Sequence, residues 1–241
     1  MRIVKGGYIS YGQLAGILML DSTGPRVPGD LGHAETFAFP VRYGSAVGFP
    51  FTDLIEGKRD NLPLVIAAVQ ELAQTGVRFV AADCGLFSVF HREISNSLAI
   101  PFLSSGLMLI PWLRQLYKQG EIGVLTGDTR LLTDLHLQPI GASLEDVVLE
   151  GMENSAEFNR VVINRGDNLD LDKFGQDVLT AGLALKEKHP DIKAVILECT
   201  NLITYKTVLQ EHLQLPVYDI LSLVNLTADG FIFKTFSSTF I

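Results

Sequence analysis

Apolar residues gather along the chain in short unbroken runs separated by polar turns. Gly16-Ile17-Leu18-Met19-Leu20 is one such run, closed by Asp21-Ser22-Thr23-Gly24, and a continuous apolar stretch of that length predicts a strand covered on both faces. Residues 37–41 and 77–82 predict two more strands. Ile100-Pro101-Phe102-Leu103 predicts a strand start or edge, because proline lacks the N–H that a central strand must donate. Between these, apolar side chains at 64, 65, 68, 69 and 72 follow a helical spacing that stops at Gly76. Residues 91–98 and 107–117 predict further helical segments.

The pattern restarts near residue 121. Residues 122–125, 161–163 and 192–197 predict strands, and residues 171–188 a long helix with Asp170 or Asp172 as N-cap and lysines in its last turn, where they complement the helix dipole. Strands alternating with helices predict parallel sheets with helices on both faces.

The two halves are versions of each other. Placing Cys84 on Cys199, an offset of 115 residues, lays Phe79-Val80-Ala81-Ala82-Asp83-Cys84 on Ala194-Val195-Ile196-Leu197-Glu198-Cys199. Each cysteine ends a strand and follows an acid. The same offset places Pro101 on Pro216, so each proline stands 17 residues after its cysteine. Upstream, Gly16-Ile17-Leu18 before Asp21-Ser22 corresponds to Gly123-Val124-Leu125 before Asp128-Thr129 at an offset of 107, which leaves about eight extra residues in the second half. The expected fold class is α/β: two pseudo-symmetric flavodoxin-like lobes with parallel sheets and an active-site cleft between them. Residues 1–115 with 225–241 would form the first lobe and residues 116–224 the second.

Composition narrows the partners. With 19 basic against 27 acidic residues and a formal charge of −8, the chain has no electrostatic footprint for a phosphate backbone, so nucleic acid is not expected. No apolar stretch approaches the roughly 20 residues of a membrane span. Two cysteines, far apart in sequence, exclude a disulfide-dense scaffold and a four-cysteine zinc site, and fit reduced thiols in a cytoplasm. The five histidines show no His-x-x-x-His spacing, so no metal is expected, and the glycine-rich loops of nucleotide and dinucleotide sites are absent, so no cofactor is expected.

In a doubly wound sheet, ligands bind beyond the carboxyl ends of the strands, where both cysteines fall. Facing lobes would place one thiol on either side of a cleft. Such a pair suits one reaction above all: one thiolate removes a proton from a carbon acid while the opposite thiol protonates the other face, giving the mirror image. A helix N-terminus can lower a thiol pKa from about 8.5, and its N–H groups can hold a carboxylate or an enediolate. Ser22, Thr126, Thr200 and Asn201 could add donors.

Several segments resemble the aspartate/glutamate/hydantoin racemase superfamily, whose members use two catalytic cysteines and no cofactor. The most specific are Leu197-Glu198-Cys199-Thr200-Asn201-Leu202, similar to the family's second Cys-Thr motif, and Leu215-Pro216-Val217-Tyr218-Asp219. Leu20-Asp21-Ser22 is similar to the first-strand Asp-Ser of glutamate racemases, and Gly123-Val124-Leu125-Thr126 to the strand that opens the second half. The resemblance implies Cys84 and Cys199 as catalytic acid and base, with Asp21, Ser22, Gly85, Leu86, Thr126, Thr200 and Asn201 around a small carboxylate-bearing substrate. Two departures stand out: Gly85-Leu86 follows the first cysteine where amino-acid racemases often carry Asn-Thr, and Glu198 precedes the second where Gly is common. An ionised Glu198 facing the pocket would raise a thiol pKa, whereas strand alternation could turn it away.

The expected activity is a racemase or epimerase of an amino acid, hydantoin or related carboxylate. A cis-trans isomerase or decarboxylase on the same scaffold is the alternative, as is a non-catalytic small-ligand binding protein. A thiol hydrolase with His91 as base is more remote. Arg26, on the loop after the first strand, would contact substrate or solvent. Residues 1–13 could form a hairpin, and the aromatic stretch 231–241 would pack on the other half or on a second copy in a homo-oligomer.

Overall fold

The computed structural model describes residue 3 and residues 6–232. Two four-stranded sheets, all parallel, form its frame. The first has the order β2-β1-β3-β4, with β1 at Ala15–Met19, β2 at Val41–Ser45, β3 at Phe79–Ala82 and β4 at Phe102–Leu103. The second has the order β6-β5-β7-β8, with β5 at Ile122–Thr126, β6 at Val148–Gly151, β7 at Ala194–Leu197 and β8 at Val217–Tyr218.

The register reproduces the repeat read from the sequence. Val80 pairs with Phe102 in the first sheet, and Val195 with Val217, each 115 residues on, in the second. Gly16 pairs with Val80 and Gly123 with Val195, which carries the offset of 107 into the first strands. These two glycines do the same work. A Cβ on Gly16 would sit 3.3 Å from Leu72 Cβ, and one on Gly123 would sit 2.8 Å from Leu185 Cδ2. The helices Leu62–Gln74 and Leu171–Lys188 therefore lie close on the central strand of their own sheets.

The central strands are apolar throughout because both faces are covered: every residue of β3, β5 and β7 is buried. The lobes also exchange elements. The helix Ile220–Asp229 follows β8 of the second sheet, yet Ile220, Val224 and Ala228 pack with Ala15, Ile17, Phe79 and Leu103 of the first. In return, a Cβ on Gly106, just after β4, would lie 3.2 Å from the Leu197 carbonyl of β7. His136 adds a further tie: its Nε2 lies 2.9 Å from the Leu54 carbonyl, and its Nδ1 lies 3.2 Å from the Thr133 N–H.

Helix Ile220–Asp229 starts at a buried carboxylate. Asp219 accepts from the Ser222 N–H at 3.0 Å and pairs with Lys206 Nζ at 2.9 Å, and it has no exposed surface. Asp219→Ala should lower stability by about 3 kcal/mol, since it removes a cap and strands a half-buried ammonium. Asp219→Asn should recover about 1 kcal/mol of that through the cap alone. The midpoint of urea unfolding measures both.

The structure corrects several sequence readings. Residues 161–163 are not a strand: they close a π-helical turn, Asn159–Ile163, and the outer strand of the second sheet is Val148–Gly151. Strand β2 begins at Val41 rather than at 37, because Pro40 has no N–H to give and only its carbonyl takes part, accepting from the Leu14 N–H at 2.8 Å. Residues 107–117 divide into the short helical segments Gly106–Leu109 and Ile110–Leu113, with Pro111 opening the second. Among the described residues of 1–13 there is no strand. Phe231 stacks on Phe79 at 6.3 Å between ring centroids, whereas residues 233–241 of the expected aromatic tail lie outside the described residues.

Candidate active site

Each cysteine stands two residues beyond a buried strand, as the extended residue that opens a short helical turn, Gly85–Phe90 after Cys84 and Thr200–Tyr205 after Cys199. Both line one cavity of about 450 Å³ between the lobes. Leu86, Asp21, Ser22, Thr126, Thr200 and Asn201, anticipated from the sequence, line it as well. Gly85 is not on its wall.

The acids before the cysteines are repeat counterparts with different partners. Asp83 accepts from the Leu20 N–H at 2.9 Å and from Arg26 at 3.0 Å. Glu198 accepts from the Thr126 hydroxyl at 2.8 Å and from the Gly127 N–H at 3.5 Å. Leu20 and Gly127 are themselves 107 residues apart, so the same backbone donor recurs in both lobes. Arg26 also pairs with Asp30 at 2.9 Å, and Asp30 accepts from the Asn201 amide at 2.8 Å. Asn201 Oδ1 in turn accepts from the Cys199 thiol at 3.5 Å. A buried polar chain thus runs from Asp83, beside one thiol, to the other thiol across the lobe boundary.

That chain changes the roles expected from sequence. The Thr200 hydroxyl donates to the Asp83 carbonyl at 2.5 Å, and the Thr126 hydroxyl to Glu198. The first ties the two lobes together, and the second anchors Glu198 within its own lobe. Arg26 lines the cavity, but its guanidinium joins two carboxylates. Gly85 lies beneath Glu198, where a Cβ would sit 2.3 Å from Oε1. Sequence reasoning noted an acid before each cysteine but left Asp83, Glu198 and Asp30 out of the site, and the repeated acid was the available signal.

Electrostatics in the cleft favour neutral thiols. Burial pushes the Cys84 and Cys199 pKa values well up, and the Glu198 charge pushes both further. The N–H groups of Leu86 and Asn201 act the other way and are outweighed. The lowering expected from a helix start is therefore present but is not the larger effect. Glu198 does face the pocket, and burial raises its own pKa against the pull of Thr126 and Gly127.

Burial also pushes Asp83 up to about 6, against the pull of Arg26 and the Leu20 N–H. Because the folded value exceeds the usual 3.8, this group favours the fold most below that pH, and its contribution is gone above about 6. In carbon-detected NMR the Asp83 carboxyl, assigned by its absence from Asp83→Asn, should titrate near 6. A midpoint near 3.8 would mean that the guanidinium and the Leu20 N–H fully offset burial.

His91 is not on the cavity wall. Its Nδ1 lies 3.0 Å from the Ser104 hydroxyl and its ring stacks on Phe102, which removes it as a partner for Cys84. Among the described residues no cluster of His, Cys, Asp and Glu could hold a metal ion, and no helix is long and apolar enough to cross a membrane.

Two parallel-sheet lobes with a thiol from each in a shared cleft have the two-lobed architecture expected of the Asp/Glu/hydantoin racemases. The pattern of the family described as Asp/Glu/Hydantoin racemase matches residues 37–224, and the chain belongs to that family. A dimethylsulfoniopropionate lyase of Durusdinium sp. clade D is 27% identical over 228 residues, covering 90% of this chain and 74% of that protein. Dimethylsulfoniopropionate lyase 6 of Emiliania huxleyi is 27% identical over 222 residues, or 87% of this chain, which spans only 57% of that relative. Among solved structures, a glutamate racemase of Bacillus anthracis superposes with a TM-score of 0.57 at 17% identity, covering 90% of this chain and 82% of that one, a likeness of fold.

Proposed function

We infer that the protein removes a proton from a carbon next to a carboxylate or similar group, with Cys84 and Cys199 as opposed acid and base. The main reading is racemisation or epimerisation of an amino acid or a derivative such as a hydantoin. The observation that carries it is the arrival of two repeat-equivalent thiols in one cavity. A single proton donor would suffice for decarboxylation, whereas exchange of a proton between two faces needs two groups. In the working state one thiol is ionised and takes the α-proton. The electron pair moves into the carboxylate as an enediolate, and the opposite thiol returns a proton to the other face.

A second reading is β-elimination, and the names of the two relatives favour it. It begins with the same proton transfer to a thiolate. The freed pair then forms a carbon–carbon double bond, and the β-carbon–sulfur bond breaks toward sulfur. Dimethylsulfoniopropionate would in this way give acrylate and neutral dimethyl sulfide. The two readings thus share the base and differ in the fate of the enediolate.

Proton NMR in heavy water with amino acids, hydantoins and dimethylsulfoniopropionate separates them. Racemisation replaces the α-hydrogen by deuterium and removes optical activity without another product. Elimination yields acrylate. Binding without turnover, unchanged by serine at either cysteine, would overturn both readings in favour of a ligand-binding protein.

A further inference from the structure

Glu198 is engaged on one side only. Its Oε2 takes both hydrogen bonds, from Thr126 and Gly127, while Oε1 has none among the described residues, although the residue is only 4% exposed. Oε1 lies over the Cα of Gly85, the residue after Cys84, and Glu198 itself precedes Cys199. The unpartnered carboxylate oxygen thus belongs to a residue that lines the cavity and whose charge bears on both thiols. Three arginines line the cavity, and among the described residues none pairs with Glu198: Arg26 is held by Asp30 and Asp83, Arg130 by Asp128, and Arg165 forms no ion pair with it. Phe49, Phe51 and Phe158 supply aromatic surface in the same cavity. Buried carboxylate and ring faces together suit a poorly hydrated cation such as an ammonium or sulfonium.

We propose that Glu198 is a specificity-determining residue whose Oε1 receives the positively charged group of a zwitterionic substrate, and that this contact prepares the thiols for reaction. The proposal rests on the reading that Cys84 and Cys199 transfer protons. Without a ligand, the carboxylates of Glu198, Asp83 and Asp30 oppose a thiolate, and Arg26 offsets only part of their charge. A cation seated at Oε1 cancels the one that acts most strongly on both thiols. Ionisation is then tied to occupancy, and a substrate without the positive charge would meet two neutral thiols.

The test uses the whole protein, glycine betaine as probe, and 3,3-dimethylbutanoate as an isostere of the same shape without the cation. Calorimetry gives affinity, and the ultraviolet thiolate band gives ionisation. Betaine should bind at least tenfold more tightly than the isostere and shift the thiolate titration down by about one pH unit, a tenfold gain in thiolate at fixed pH. Glu198→Gln should lose the preference for betaine, show a lower thiolate titration than wild type without ligand, and no longer respond to the probe. Glu198→Asp, which keeps the charge, should retain the preference, and it serves if the glutamine variant does not fold. Equal affinity for the two probes, no binding of either, or a probe response that persists in Glu198→Gln overturns the proposal. Turnover that survives both cysteine substitutions would instead overturn the proton-transfer reading beneath it.

Discussion

Serine in place of Cys84 or of Cys199 should lower kcat/KM for a confirmed substrate by about 10²–10⁴-fold or more, because a hydroxyl is a far weaker acid and base than a thiol. Neither cysteine carries the fold. Both are half-buried free thiols, and the ties across the lobe boundary run through Thr200, Asn201 and Glu198. Melting temperatures of the two variants should therefore stay close to wild type while turnover falls. If the reaction is racemisation, each variant should still exchange the α-hydrogen of one enantiomer in heavy water, and the two should act on opposite enantiomers. If it is elimination, one thiol alone takes the α-proton, so one variant should lose exchange and product together. Near wild-type rates in both variants would end the two-thiol mechanism.

The frame was legible because it is written in burial. Strands β3, β5 and β7 are covered on both faces and read as unbroken apolar runs, and the helix Leu171–Lys188 declares itself by its period, its Asp170 cap and its terminal lysines. The outer strand Val148–Gly151 is half-buried over most of its length and carries Glu150 toward Lys188, so it shows neither an apolar run nor a clean alternation. Val161-Val162-Ile163 looks like a strand because two of its three residues are β-branched valines and the third is isoleucine. In the fold, Val161 is buried, while Val162 and Ile163 face the cavity from a π-helical turn.

The positions of the two thiols were legible from the repeat offset, and the local chain around them followed. What sequence could not supply was which partner each polar group would meet across the lobe boundary. Thr126 and Thr200 were expected to offer hydroxyls to a ligand, but the fold turns Thr126 toward Glu198 of its own lobe and Thr200 toward the Asp83 carbonyl across the boundary. Arg26 and Asp30 lie on a loop far from Asn201 in sequence, so their chain to Cys199 exists only after the lobes close. The two departures at Gly85 and Glu198 are one structural feature. The side chain missing after the first cysteine leaves the space that the side chain before the second one fills.

Gly85→Ala should consequently be among the most damaging single-atom additions in the protein. The new Cβ would lie 2.3 Å from Glu198 Oε1, which a rotamer change could relieve, but also 2.5 Å from the Glu198 carbonyl oxygen, which belongs to the backbone leaving β7. That backbone is fixed by its own ladder, with the Glu198 N–H donating to the Leu125 carbonyl at 2.9 Å. The strain has to be relieved by parting the lobes, at an overpacking cost of about 1–3 kcal/mol. Such a parting separates Cys84 from Cys199, and a displacement of about 1 Å between reacting groups can cost roughly 10²-fold in rate. Activity should therefore fall further than stability, with kcat reduced more than KM is raised. Removing the acid side chain as well, in Gly85→Ala with Glu198→Gly, relieves only the contact with Oε1. The double variant should thus regain part of the lost melting temperature and little of the lost turnover. Full activity in Gly85→Ala would mean that the lobes part freely and that the thiols do not depend on the closure drawn by Glu198 over Gly85.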